Sequence, residues 1–252
     1  MTRLFTFGCS FTRYLWPTWA DILGRQFSEH QNWGMPGGGN FFIMASLTEA
    51  IRTQSISQHD TVGIMWTSIG REDRWVDWPD TRGWLGLGSI YNKQSYYSKD
   101  YLKKFGDPIT YLMRDMPVIA SVQSMLKNIG CTYYMLNMAP FLLADDAGNS
   151  WVYVEYPDYV EKLHPVEHLY QDVFKTIKPS MMEVIFKGDW NHFGKRQDDH
   201  PRPAEHLQYL NQVLPEVSIN DTTKEWIMAE QKKVSESKPF TKLYEAPPVN
   251  RI

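Results

Sequence analysis

Hydrophobic positions along the chain fall into short β-prone runs that alternate with longer stretches of helical spacing. Compact runs of apolar and β-prone residues predict strands at 3–8, which reads as buried, at 61–67 and at 131–138, and QNW at 31–33 is at best a short strand between the first two. Apolar residues three and four positions apart predict helices over 17–28, 41–53, 108–129, near 157–178, and from 203 to 214. Strands that alternate with helices are typical of a parallel sheet covered on both faces, so we expect an α/β fold, an α/β/α sandwich.

Residue types that favour helix ends refine these boundaries. Asn40 is a good N-cap for the helix over 41–53. Pro117 predicts either a kink in the helix over 108–129 or its true start. Ser180 and Glu183 have the spacing of a capping box, which opens a short helix. Pro203 marks the start of the last core helix.

Two aromatic segments and a tail stand apart from this alternation. We expect one domain over 1–215, with insertions at about 68–106 and 145–178 that carry many Trp and Tyr residues among Asp, Arg, Ser and Gly. This mixture suits a platform for sugar rings, although buried aromatic residues would give the same pattern. Residues 216–252 read as a C-terminal helix and an extended arm, which either wraps its own domain or joins a second subunit in a homo-oligomer.

Composition narrows the class of protein. The chain has 252 residues and a net charge of −3, which argues against a nucleic-acid-binding protein. No apolar run reaches the length of a membrane span, so we expect no membrane partner. Two cysteines, Cys9 and Cys131, are too few for a disulfide framework. The first strand begins at residue 3, where a signal peptide would need its charged start, so we expect a protein made in the cytoplasm.

Chemically capable residues follow the predicted strands. Ligands of parallel sheets bind beyond the carboxyl ends of the strands. The first strand runs into GCSFT, which places Cys9 and Ser10 at that edge; the second runs into the glycine-rich loop NWGMPGGGN at 32–40. Glycine amides close to a helix N-terminus can bind negative charge. WTSIGRED follows the third strand, and DDHPRPAEH at 198–206 precedes the last core helix.

Together these stretches resemble the SGNH hydrolases, also called GDSL esterases and lipases. GCSF at 8–11 resembles the first block of the family, NWGMPG at 32–37 the second and DDHP at 198–201 the last. The resemblance implies a three-layer sandwich with a parallel, flavodoxin-like sheet, in which Ser10 is the nucleophile, Gly37 an oxyanion donor and His200 the base. Asp198 or Asp199 would orient His200, and the spacing favours Asp198. FGCSFT combined with an HPxxxxH ending is most similar to phage-encoded members, which would allow association with a virion.

The third block departs from the family pattern, because no asparagine follows the strand at 61–67. Its oxyanion donor could be replaced by the amide of Asn40, by a hydroxyl of Thr67 or Ser68, or by the guanidinium of Arg71. We favour Asn40 slightly. Loss of one such donor typically lowers the rate by about 10²–10³-fold, so the departure keeps open a non-catalytic protein with this fold.

Other residues offer competing chemistry. Cys9 could replace Ser10 as nucleophile, and DWNH at 189–192, with His192, is a rival for the last block. HPVEH at 164–168 has the His-x-x-Glu-His spacing of some zinc proteases, but Pro165 and the missing third ligand argue against a metal site.

The pattern favours a serine esterase that acts on O-acyl groups of a saccharide without metal or cofactor. Acyl transfer to another acceptor would use the same residues, and a binding or structural protein is the alternative of another class.

Overall fold

The computed structural model describes residues 2–91, 96–141, 165–187, 197–198 and 200–249. Its strands are β1 (Arg3–Phe7), β2 (Glu29–Asn32), β3 (Thr61–Trp66), β4 (Arg74–Trp78), β5 (Thr81–Leu85), β6 (Thr132–Asn137) and β7 (Ile177–Ser180). Five of them form a parallel sheet in the order β2-β1-β3-β6-β7, and β4 and β5 form a separate antiparallel hairpin. Counted within the sheet, this is the 2-1-3-4-5 order of flavodoxin-like folds, as predicted.

Eight named helices accompany these strands in the described ranges. They are α1 (Trp19–Gly24), α2 (Asn40–Gln54), α3 (Lys99–Phe105), α4 (Pro108–Ile129), α5 (Gln171–Phe174), α6 (Met181–Phe186), α7 (Pro203–Val213) and α8 (Asp221–Glu236). None of the described helices is long and apolar enough to cross a membrane.

Two hydrophobic cores, one on each face of the sheet, make the three layers. Alternate residues of a strand point to opposite faces, and the core residues of β3 follow that rule. Val62, Ile64 and Trp66 pack with α2 and α4, whereas Met65 packs with α1, α6, α7 and α8 on the other face. The predicted α/β/α sandwich is therefore confirmed.

The longest helix has the predicted bounds, and its ends have clear causes. Asp107 caps the start of α4 by accepting a hydrogen bond from the N–H of Ile109 at 3.0 Å. Gly130 ends the helix in the left-handed region, at φ +76°. Pro117 lies inside α4, which runs on as one helix through that position. The predicted capping box of Ser180 and Glu183 is also confirmed at the start of α6.

Several predicted boundaries were wrong. The helix expected near 157–178 is replaced, in its described part, by a helical segment at 165–169, by α5 and by the strand β7. The helix expected over 17–28 is limited to α1, because Thr18 and Asp21 form a capping box that starts the helix two residues after Pro17. The aromatic segment at 68–106 contains regular structure, namely the hairpin of β4 and β5 and the helix α3.

The C-terminal arm after α8 packs on its own domain. The N–H groups of Leu243 and Tyr244 both donate to the carbonyl of Leu15, at 2.8 and 2.9 Å. Arg13 donates to the carbonyl of Ala246 at 3.3 Å, and the side chain of Ala246 is buried. The arm thus lies against the segment that follows β1. Ser10 belongs to the same segment.

Candidate active site

Ser10 lies in a tight turn at the carboxyl end of β1. The N–H groups of Thr12 and Arg13 both donate to the carbonyl of Cys9, at 2.9 and 3.1 Å, and close this turn. Gly8 is required before it, because a Cβ at that position would collide with the side chain of Thr12. Ser10 is buried with 8% of its surface exposed, and its hydroxyl has no hydrogen-bond partner among the described residues. The turn therefore places a serine hydroxyl at the edge of the sheet.

The neighbouring thiol points the other way. Cys9 is fully buried, and its Sγ lies 3.6 Å from the Sδ of Met138 in the core. A nucleophile must reach its substrate, so burial separates the Cys9 thiol from the surface that Ser10 occupies.

Asp198 and His200 form a hydrogen-bonded pair. The Nδ1 of His200 lies 2.9 Å from Oδ1 of Asp198, and the backbone N–H of His200 donates to the same oxygen at 3.1 Å. Burial raises the pKa of the Asp198 carboxyl, but the hydrogen bonds from His200 and Tyr14 outweigh this effect and hold its pKa below the usual value. Nδ1 is thus committed to Asp198, and Nε2 faces no hydrogen-bond partner within the described part of the chain.

The turn after Ser10 contacts this pair directly, although no hydrogen bond joins Ser10 to His200 among the described atoms. The ring of Tyr14 stacks on the ring of His200, with centroids 3.7 Å apart and planes 20° apart. The ring of Phe11 lies edge-on to His200 at 5.8 Å. The Tyr14 hydroxyl donates to the two carboxylate oxygens of Asp198 at 3.1 and 3.0 Å. The fold therefore brings residues predicted from both ends of the sequence to one place.

The glycine-rich loop flanks the Ser10 turn. The N–H of Met35 donates to the carbonyl of Gly8 at 3.0 Å, so the loop runs beside the end of β1. Gly37 has φ +79°, and a Cβ there would collide with the carbonyl oxygen of Gly86 just after β5. Glycine is required at this position for both reasons. The N–H of Gly37 donates to no acceptor among the described residues.

The N-terminus of α2 is occupied by a side chain of the protein itself. Asp73 accepts hydrogen bonds from the N–H of Gly39 at 2.7 Å and from that of Phe42 at 2.9 Å. Gly39 is the N-cap of α2, and Asn40 is its first residue, so the prediction of Asn40 as N-cap was wrong. A carboxylate at this place satisfies the helix amides and complements the helix dipole.

Asn40 connects the start of α2 to the end of β3. Its Oδ1 accepts from the N–H of Thr67 at 2.9 Å, and its Nδ2 donates to the carbonyl of Thr67 at 3.2 Å and to Asp115 at 2.9 Å. Both amide hydrogens are therefore used inside the protein, and Asn40 is fully buried. This geometry contradicts the expectation that Asn40 donates to a bound oxyanion.

Arg71 lies between the glycine loop and the end of β6. Its Nη1 donates to the carbonyl of Gly38 at 3.0 Å, and its Nη2 lies 3.7 Å from the Sδ of Met138, the atom that Cys9 also contacts. Its Nε is buried and has no hydrogen-bond partner within the described ranges. Ser68, in the same loop, is half-buried, and its hydroxyl makes no hydrogen bond to another described residue. The loop after β3 therefore brings a guanidinium to the edge that carries Ser10.

Some candidates lie outside the described residues, namely Asp199, the DWNH stretch at 189–192 and His164 of HPVEH. Within the described ranges no group of three His, Cys, Asp or Glu side chains is placed to hold a metal ion. His206, in α7, is fully buried, and burial lowers its pKa to about 3. It is a core residue on the face of α7 that packs against the sheet.

Sequence reasoning missed Tyr14 and Asp73. Tyr14 follows Ser10 by four residues and carries no motif, and Asp73 lies in a loop of charged residues, REDR at 71–74. Only the folded geometry shows what either of them contacts.

No family model matches the chain, and no curated protein matches its sequence. Solved structures to which it is similar include GDSL lipolytic enzymes and acetylxylan esterases. A G-D-S-L family lipolytic protein from Veillonella parvula shares 12% identity over 86% of this chain and 100% of its own, with a TM-score of 0.46. A catalytic mutant of an acetylxylan esterase from Geobacillus stearothermophilus shares 13% identity over 86% of this chain and 94% of its own, with a TM-score of 0.48. Similarity at this level identifies no side chain of the site.

Proposed function

We propose that the protein is a serine esterase that uses Ser10, His200 and Asp198. The observation that carries this proposal is the contact between the Asp198–His200 pair and the turn that bears Ser10. In that arrangement Nδ1 of His200 faces the carboxylate, which leaves Nε2 as the atom that can take a proton from a hydroxyl.

The reaction follows from these groups. The Oγ of Ser10 attacks the ester carbonyl while Nε2 of His200 takes its proton, and Asp198 stabilises the imidazolium that forms. The C–O bond to the alcohol then breaks, and the alcohol leaves with the proton from His200. Water, deprotonated by His200, attacks the acyl-Ser10 ester and releases the acid and free Ser10.

Four groups are candidate donors to the negative charge that develops on the carbonyl oxygen. The N–H groups of Ser10 and Gly37 have no acceptor among the described residues, and both border the Ser10 turn. Arg71 supplies a positive charge from the loop after β3, and Ser68 a hydroxyl. Asn40 is not among them, because its amide is used within the fold. Preorganised donors of this kind stabilise the transition state without further reorganisation.

A saccharide ester is the substrate class we propose, because an aromatic surface adjoins the glycine loop. Trp75 on β4 is 46% exposed and pairs with Trp84 on β5, so the two rings lie on the same face of the hairpin. The hairpin is anchored at the loop through the hydrogen bond from the N–H of Gly88 to the carbonyl of Gly37, at 3.0 Å. Exposed aromatic faces offer apolar contact to a partner that is otherwise hydrated, as a sugar ring is.

Labelling with a fluorophosphonate probe tests the chemistry. We expect the wild type to be labelled and to hydrolyse p-nitrophenyl acetate, and Ser10→Ala to lose both while keeping its thermal midpoint. Ser28→Ala, a replacement of an exposed serine, and Cys9→Ala are the matched controls, and both should keep the label. Asp198→Asn should lower kcat by up to about 10⁴-fold. A wild type that is neither labelled nor active would favour the non-catalytic binding protein instead.

The substrate class has its own test. Trp75→Ala should raise KM for an acetylated oligosaccharide by about five- to twelvefold, the loss expected for a stacked ring worth about 1–1.5 kcal/mol. It should leave hydrolysis of p-nitrophenyl acetate unchanged. Tyr96→Ala removes another exposed aromatic side chain and is the control. Equal effects on both substrates would contradict a saccharide platform.

A further inference from the structure

The Asp198–His200 pair is held together by local contacts that do not place it against Ser10. Both hydrogen bonds between the two residues span only two positions of the chain. They fix the carboxylate relative to the imidazole, but they would persist if the whole segment moved. A catalytic base must be held to within a fraction of an ångström of its nucleophile, so the placement needs a contact from another part of the fold.

Tyr14 makes that contact in two ways. Its ring covers one face of the His200 imidazole at 3.7 Å, and its hydroxyl donates to both oxygens of Asp198. A single side chain thus touches both members of the pair, and it belongs to the segment that begins with the Ser10 turn. An aromatic face against the ring also favours the imidazolium that forms when His200 takes a proton.

Other residues fix the position of Tyr14 in turn. The Trp16 ring lies edge-on to Tyr14 at 4.7 Å, and its Nε1 donates to the carbonyl of Pro201 at 2.8 Å, next to His200. Leu15, between them, accepts the two backbone hydrogen bonds from Leu243 and Tyr244 of the C-terminal arm. The segment 14–16 is therefore fixed between the pair on one side and the arm on the other.

We propose that Tyr14 is the positioning residue of the Asp198–His200 pair and that the C-terminal arm holds it in place through Leu15. This inference rests on the proposed function for its kinetic consequence, but the contacts it concerns can be measured without any substrate. The other titratable groups of the adjoining helix and its N-cap are Arg202, Glu205, the buried His206 and Tyr209. Glu205 accepts a hydrogen bond from the N–H of Arg202, and Tyr209 donates to the carbonyl of Pro179.

Two substitutions separate the two contacts of Tyr14. Tyr14→Phe keeps the stacked ring and removes the hydrogen bonds to Asp198. The carboxylate then interacts more strongly with the imidazolium, so the acid limb of the pH profile of kcat/KM should move to higher pH, by about one pH unit or less. Tyr14→Leu removes the stack as well and should lower kcat by about 100-fold with little change in KM, as expected for a displaced base.

Proton NMR provides a readout that does not depend on activity. The Tyr14 ring should shift the His200 ring protons upfield, and this shift should survive in Tyr14→Phe and disappear in Tyr14→Leu. The Nδ1–H resonance of His200 should change in both variants. Tyr133→Phe, which removes a hydroxyl at the opposite end of β6, is the matched control and should change neither signal. Thermal midpoints confirm that each variant is folded.

The part played by the arm is tested in the full-length chain. Leu243→Pro removes one of the two N–H groups bound to Leu15, whereas Lys242→Pro removes an N–H without a described partner. Only Leu243→Pro should raise hydrogen exchange in residues 11–16 and weaken the ring-current shift on His200. Unchanged His200 signals in Tyr14→Leu would overturn the positioning role, and equal behaviour of the two proline variants would overturn that of the arm. A wild type without esterase activity would refute only the proposed function.

Discussion

The carboxylate of Asp73 accepts a hydrogen bond from the backbone N–H of Gly39 at 2.7 Å, at the first turn of α2. A second hydrogen bond, from the N–H of Phe42, makes Asp73 the cap of that helix, although it lies 34 residues further along the chain than Gly39. The N-terminus of α2, which has the features of an anion site, is thus occupied by a carboxylate of the same chain.

Asp73→Ala should therefore destabilise the protein. Two helix amides would lose their acceptor, and we expect the free energy of unfolding to fall by about 1–2 kcal/mol. Denaturant titration measures this change. Asp77→Ala is the matched control on the same hairpin, because its ion pair with Arg82 is exposed and should contribute little. A loss no larger than that of the control would show that Asp73 does not cap α2.

Substitutions at Gly37 and Gly88 distinguish the stability cost of a strained backbone conformation from the cost of a steric collision. Both have left-handed φ angles, +79° and +71°, but only a Cβ on Gly37 would meet another atom, the carbonyl oxygen of Gly86. Gly88→Ala should lose about 1 kcal/mol of stability from its conformation alone. Gly37→Ala should lose about 2–4 kcal/mol, since the hairpin must also move.

Activity provides the second comparison between these glycines. The displaced loop of Gly37→Ala should carry its N–H away from the oxyanion and lower kcat by about 100-fold or more. Gly88→Ala should keep kcat near the wild-type value. Equal activities would argue against an oxyanion role for Gly37.

Asn40→Ala should lower the free energy of unfolding, because Asn40 serves the fold. The substitution would leave the N–H and carbonyl of Thr67 without a partner in a buried place, and Oδ2 of Asp115 would lose its bond to Asn40 while Oδ1 keeps its ion pair with Arg114. We expect a loss of about 2–4 kcal/mol in the free energy of unfolding, measured in urea. A variant with wild-type stability and a kcat lowered by about 10²–10³-fold would instead identify Asn40 as an oxyanion donor.

His206 should make the protein sensitive to acid. In the unfolded chain a histidine takes up a proton near pH 6.5, whereas burial lowers the pKa of His206 to about 3 in the folded state. The unfolded state therefore binds more protons between these values, so the stabilisation is complete above about pH 6.5 and decreases as the pH falls. From pH 7 to pH 5 the loss from this residue should be about 2 kcal/mol.

Urea unfolding of His206→Gln at the two pH values measures this contribution. The variant should lose less stability than the wild type between pH 7 and pH 5, because its side chain does not titrate. His59→Gln, a replacement of an exposed histidine, is the matched control and should follow the wild type. An identical pH dependence in all three proteins would show that His206 is not the acid-sensitive group.

The periodicity of apolar residues along the sequence determined most of the strands and helices that build the three layers. The apolar spacing of residues 108–129 specifies α4 to its end residues, because a long amphipathic pattern between Asp107 and Gly130 admits no other regular structure. The strand runs at 3–8, 61–67 and 131–138 are equally clear, since both of their faces are buried. The polar strand Ile177–Ser180 was missed, because it pairs with β6 on one side only and its sequence, IKPS, has no β-prone run.

The residues of the candidate site also fall into two groups, those that the sequence indicates and those that only the tertiary structure identifies. Ser10, Gly37 and His200 could be selected from the sequence because GCSF, NWGMPG and DDHP, which carry them, resemble blocks of the SGNH hydrolases. Tertiary structure alone decided that Asn40 serves the fold, that Asp73 fills the start of α2, and that Tyr14 joins His200 to the Ser10 turn. The spacing of residues along the chain predicts contacts between residues that are one or two helical turns apart. A contact over 34 or 184 residues depends on how the layers pack, and no local pattern encodes it.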